Sequence, residues 1–124
     1  PYPGVYDGRG SQDWKGDFGG ESSYKAATAT FRRFSGRAWL HRAASVEAAK
    51  HWTGGFADMV FIDGEHDYSS CREDIIAWSS HVRSGGVVAG HDYSSRTPGV
   101  VRAVTELLPP GATLYVAGAM VWWW

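Results

Sequence analysis

Thiol chemistry is nearly absent from the sequence: Cys71 is its only cysteine, so no disulfide closes within the chain. An excess of either charge is absent too, with 12 Lys+Arg against 13 Asp+Glu and a net charge of −1. Phosphate backbones and anionic lipid are gripped by clustered lysine and arginine, so neither nucleic acid nor a membrane surface is an expected partner. No apolar run approaches the ~20 residues of a transmembrane helix. The glycine-rich, charged N-terminus lacks the organisation of a signal peptide, and the expected location is cytoplasmic. No G-x-S-x-G elbow exists, which leaves serine-hydrolase chemistry unsupported. The sequence opens on Pro1 rather than Met and reads as a piece of a longer chain.

What is present suffices for one domain. A chain of 124 residues with 44% hydrophobic content buries roughly two-thirds of its unfolded surface on folding. Residues 1–20 carry much glycine and no sustained apolar period, and read as loop. From Ser22 onward Tyr24, Ala27, Phe31 and Phe34 recur at helical spacing up to Gly36, with Ser22 or Ser23 as N-cap. Arg37–Arg42 is a strand candidate and Ser45–Trp52 a short helix. Ala57–Ile62 is apolar without alternation, as in a strand buried on both faces. Ser70-x-x-Glu73 matches a capping box opening a helix that runs to Gly85-Gly86 along Cys71, Ile75, Trp78 and Val82. Residues 86–90 form a second buried strand. Thr97-Pro98 caps a helix with Val101, Val104 and Leu108 on its apolar face, stopped by Pro109-Pro110. Ala112–Val116 and Ala119–Trp124 flank a two-residue turn. Strands alternating with helices predict an α/β fold whose sheet is mostly parallel, covered on both faces, and finished by an antiparallel hairpin.

In open α/β sheets ligands gather beyond the carboxyl ends of the strands. There the sequence places Asp63-Gly64-Glu65-His66-Asp67-Tyr68 and His91-Asp92-Tyr93. If the two strands are neighbours, Asp63, His91 and Asp92 converge, and such mixed carboxylate and imidazole ligands suit Mg²⁺ or Mn²⁺ better than a structural zinc. His66 and His91 are candidates for proton transfer. Plainer roles compete: a strand-end aspartate caps the next helix or turn, His66 bonds to the backbone of its turn, and Tyr68 and Tyr93 cover their loops. His41, His51 and His81 sit mid-element and read as packing residues. Cys71 lies on an apolar stripe and reads as core. Trp122–Trp124 should alternate across a sheet, Trp123 on one face and its neighbours on the other, with ligand stacking the competing role.

The segments MVFIDGEHDYSSCREDIIAW, RSGGVVAGHDY and TPGVVRAVTEL resemble the second half of class I S-adenosylmethionine-dependent methyltransferases, in the small-molecule O-methyltransferase-like group with an IDGxHxY element. The resemblance spans about residues 13–124 and is most specific over 57–106. It implies a truncated three-layer Rossmann-like fold with S-adenosylmethionine as cofactor. On the cofactor side it implies Asp13, in an Asp13-Trp14 and Gly16-Asp17 segment, near the ribose; Ser45 and Val46 beside the adenine; and Asp63. It also implies a divalent cation on Asp63, His91 and Asp92, with histidine where relatives carry an acid. The family's first strand and glycine-rich loop should precede Asp13, where this sequence has only twelve residues; Val5–Gly10 imitates that loop faintly.

Two functions follow. One is metal-assisted methyl transfer to a small hydroxylated acceptor, with His66 or His91 as base; the other is a non-catalytic ligand-binding or oligomerisation module built on the same fold. A sheet without its first strands would expose unpaired backbone. The expected remedies are a homodimer, or direct pairing of the strand at 37–42 with that at 57–62.

Overall fold

The structure, a computed structural model, describes residues 20–118 and 120–124. The expected N-terminal loop, its glycine cluster and Asp13 lie outside the described residues. The chain divides into two compact units, Pro1–Ala44 and Ser45–Trp124. Among the described residues no helix is long and apolar enough to cross a membrane.

In the first unit, helix α1 spans Gly20–Arg32. It opens ahead of Ser22, so the serines expected as caps lie in its first turn. Glu21 near its start and Arg32 at its end oppose the helix dipole. The Phe34 amide donates to Phe31 at 2.9 Å, tightening the last turn, and Gly36 at φ +85° ends it in the left-handed region glycine tolerates. The strand expected at Arg37–Arg42 does not form. The amides of Arg37 and Ala38 stay bonded to the Phe34 carbonyl at 3.0 and 3.1 Å. Arg42 folds back onto α1, its Nη1 2.9 Å from Glu21 Oε2 and its guanidinium 4.7 Å from the Tyr24 ring centre. Direct pairing of 37–42 with 57–62 is therefore not the remedy for the sheet edge.

The second unit contains α2 (Ser45–Lys50), β1 (Ala57–Ile62), α3 (Tyr68–Ser79), β2 (Val82–Gly90), α4 (Pro98–Leu107), β3 (Tyr115–Ala117) and β4 (Val121–Trp123). The sheet order is β1-β2-β4-β3. As expected, β1 and β2 are parallel neighbours, with Met59 opposite Val87 and Ile62 opposite Gly90. The pairs β2–β4 and β4–β3 are antiparallel. The expected bounds of β1 and α4 hold closely, α2 ends at Lys50 rather than Trp52, and α3, β2 and the hairpin strands shift. Helix α3 starts at Tyr68 because the Asp67 carboxylate, not Ser70, caps it. It stops at Ser79, six residues short of Gly85, because the Ala57 amide takes the His81 carbonyl at 2.7 Å and Arg83 pairs with Asp58 at 2.5 Å. These contacts draw 82–85 into β2, and a register shift between Ala57 and Met59 absorbs the extra residues. The hairpin turn is longer than two residues, leaving Ala112–Leu114 outside β3.

The core is Ile62, Cys71, Ile75, Val88, Val100, Ala103, Val104 and Trp122, formed where α3 and α4 cover one face of the sheet. Strand β1 is not buried on both faces. Val60 and Ile62 point to this core, whereas Met59 and Phe61, on the alternate face, are 53% and 48% exposed. The tryptophans alternate as expected. Trp122 is buried and stacked on Trp124, centroids 5.1 Å apart, and Trp123 stacks on Tyr115 at 5.5 Å.

Candidate functional site

Pairing of β1 with β2 continues past the strand ends, where the His91 amide donates to the Ile62 carbonyl at 3.0 Å. That bond sets Asp63, which follows β1, beside the residues following β2. One ligand atom from each of Asp63, His91 and Asp92 lies within 4.8 Å of the other two. Asp63 is exposed and the other two are half-buried. The approach requires glycine at position 90: a Cβ there would stand 2.5 Å from the Ile62 carbonyl oxygen and 2.5 Å from the Trp122 ring. Trp122 in turn donates its indole N–H to the His91 carbonyl at 3.0 Å.

Asp92 adopts φ +64°, a left-handed conformation that non-glycine residues seldom hold without support. Support comes from both sides, since the Tyr93 amide donates to Met120 at 3.0 Å and the Thr97 hydroxyl donates to the Asp92 carbonyl. The bend brings one carboxylate oxygen, Asp92 Oδ2, to two imidazoles: His66 Nε2 at 2.9 Å and His91 Nδ1 at 3.2 Å. His66 lies outside the group of three potential ligands and grips it through Asp92.

The plainer roles distribute elsewhere. Helix capping falls to Asp67, whose Oδ1 accepts from the Ser70 amide at 3.0 Å and the Ser69 hydroxyl at 2.7 Å. These bonds, Ser70's foremost, pull its carboxyl down to about 2. Asp63 and Asp92 therefore cap neither α3 nor α4. His81 bonds to the Ala49 carbonyl at 2.9 Å and packs on Trp52 and Trp78, and His51 faces the Glu47 carbonyl at 2.9 Å. Cys71 is buried, and burial pushes its thiol up to about 11. Tyr68 covers no loop. It donates to Glu106 at 2.5 Å, beside Arg72 on the same carboxylate, and carries the Arg102 guanidinium 3.8 Å above its ring. Tyr93 reaches Thr105 at 3.3 Å.

On the cofactor side, Asp13 lies outside the described residues. Ser45 opens α2, and its hydroxyl accepts from Trp78 Nε1 at 2.9 Å and bonds the Asp74 carboxyl, which burial pushes upward. Asp74 Oδ2 also lies 3.2 Å from where a Cβ on Gly64 would stand. Ser45 and the half-buried Val46 therefore sit across Asp74 from the loop that carries Asp63. Sequence reasoning missed both Asp67 and Asp74; an aspartate three residues ahead of a serine amide was the readable signal for the first.

A family described as methyltransferase domain matches residues 7–93. The chain belongs to this family. The fold of this methyltransferase domain is similar to that of CalS11, a TDP-rhamnose 3′-O-methyltransferase and an enzyme in calicheamicin biosynthesis, solved in its apo form. The TM-score is 0.64 at 13% sequence identity, over 86% of this chain and 54% of that one. At that identity the likeness is one of fold: a truncated Rossmann-like α/β architecture. The domain spans about half the length of that relative. No curated protein matches it.

Proposed function

We propose that this domain takes part in S-adenosylmethionine-dependent methyl transfer to a small hydroxylated acceptor, assisted by a divalent cation. The observation that carries the reading is the convergence of Asp63, His91 and Asp92 within 4.8 Å at the strand ends. Two carboxylates and an imidazole fit Mg²⁺ or Mn²⁺ in charge and donor type. Bound there, a cation supplies charge stabilisation for an acceptor oxygen as it loses its proton. His66 is the base we favour over His91. Asp92 engages its Nε2 and fixes the ring, leaving Nδ1 to take the hydroxyl proton. Ser45, Val46 and Asp63 form the cofactor side, with Asp13 contributing from beyond the described residues. The rest of the task is alignment of acceptor oxygen and methyl group for in-line displacement.

Isothermal calorimetry with S-adenosylmethionine and S-adenosylhomocysteine, each with and without Mg²⁺, tests the reading. Binding strengthened by the metal supports it, and no binding of either compound rejects it. A second reading, a non-catalytic binding or self-associating module, is favoured by the exposure of Met59, Phe61 and Tyr115 on the face of the sheet opposite the core. Concentration-dependent light scattering without cofactor binding is its signature.

A further inference from the structure

The first residues of α4 break a local rule. Thr97 occupies the N-cap position ahead of Pro98, where a threonine hydroxyl ordinarily accepts an amide of the first turn. It makes no such bond. The hydroxyl instead donates to the carbonyl of Asp92, with the Ser94 carbonyl 3.3 Å away and the Ser94 hydroxyl at 3.1 Å. Departures of this kind concentrate where function outweighs local preference.

Two residues further on, Gly99 meets the other half of the same pair. A Cβ at Gly99 would stand 2.5 Å from the His66 carbonyl oxygen, 2.6 Å from the Tyr68 amide nitrogen and 2.9 Å from the Asp67 carbonyl carbon. All three are backbone atoms, so no side-chain rotation relieves the overlap. The turn bearing His66 therefore rests directly on the α4 backbone, and any larger residue at 99 lifts it.

We propose that Thr97 and Gly99 are positioning residues that set the His66–Asp92 pair from a single point at the start of α4. Thr97 holds Asp92 in its left-handed bend, and Gly99 sets the height at which His66 meets it. The inference rests on the proposed metal and base roles of these side chains. The pairing of His66 with Asp92 is measurable apart from those roles.

The variants are Gly99→Ala, Thr97→Val and Thr97→Ser, with Val104→Ala as a control that removes core packing from the same helix. Two readouts are taken on the full chain: Mn²⁺ affinity by electron paramagnetic resonance, and the imidazole nitrogen shifts of His66 by NMR in metal-free protein. Outer-shell partners of metal ligands typically contribute about 10–100-fold in affinity, and a loss in that range is expected for Gly99→Ala and Thr97→Val. The His66 Nε2 shift should move toward that of an unbonded ring in both. Thr97→Ser should match the parent in both readouts, and Val104→Ala should leave the His66 signal in place. If Gly99→Ala fails to fold, the comparison of Thr97→Val with Thr97→Ser decides the matter. A parent that binds no Mn²⁺ defeats the metal reading while the NMR comparison still judges the positioning. The proposal is overturned by an unchanged His66 signal in the folded Gly99 and Thr97→Val variants, or by equal disturbance in Val104→Ala.

Discussion

The indole N–H of Trp122, on a strand near the end of the chain, donates to the backbone carbonyl of His91 at 3.0 Å. A residue with 0% exposure in the core thus holds the loop from which His91 and Asp92 project. Trp122→Phe keeps most of the ring packing and leaves the His91 carbonyl without that donor. The expected cost is about 1–3 kcal/mol of stability, read by urea denaturation. The same variant should weaken Mn²⁺ binding, because the loop loses its anchor.

The proposed cation site at the strand ends predicts a stability that depends on metal. Added Mg²⁺ or Mn²⁺ should raise the melting temperature by mass action, reaching about 2.7 kcal/mol at a concentration one hundred times the dissociation constant. Asp63→Asn should abolish the rise in differential scanning fluorimetry. A parent insensitive to millimolar metal would contradict the metal assignment.

Acid should act on α3 through its cap. The folded Asp67 carboxyl lies at about 2, below the unfolded value of about 3.9. Its ionised form therefore favours the folded state above the unfolded value, and the advantage declines as pH falls from about 4 through 2. Denaturation midpoints of the parent and of Asp67→Asn should differ at pH 7 and converge by about pH 2. A gap that stays constant over this interval would show that the cap does not act through its charge.

Neighbouring isoleucines on α3 should respond very differently. Ile75 is 1% exposed and Ile76 46% exposed. Ile75→Ala should cost about 2–5 kcal/mol, since it opens a cavity in the core, while Ile76→Ala should stay within about 0.5 kcal/mol of the parent. Equal costs would mean that Ile76 is covered in solution.

What could be read from the sequence divides by the range of the interaction that decides each element. Within β1 the run Met59–Ile62 is contiguous and apolar and is followed at once by Asp63, so the end of the strand is a local fact. The convergence of Asp63 with His91 and Asp92 followed from two such strands and the rule that ligands collect at their carboxyl ends. The segment 37–42 was misread because its fate depends on Arg42 meeting Glu21 and Tyr24, a pairing no window of propensity contains. Helix α3 was placed late because the capping-box pattern put its start at Ser70, whereas the Asp67 carboxylate accepts the Ser70 amide and caps the helix three residues earlier. The roles of Thr97 and Gly99 were illegible for another reason. A threonine before a proline reads as a cap, and a glycine near a helix start reads as slack, until the distances to Asp92 and His66 are known.

Gly90 joins core packing to the spacing of the proposed ligands. Folding and ligand spacing both hang on the same absent methyl group, because the space it vacates is filled at once by the Ile62 carbonyl and the Trp122 ring. Drift in the core at this point is also drift in the distance between Asp63 and His91. A substitution that loosened Trp122 would shift the spacing of the proposed ligands without altering any of them, while the packing alone would still hold position 90 to glycine.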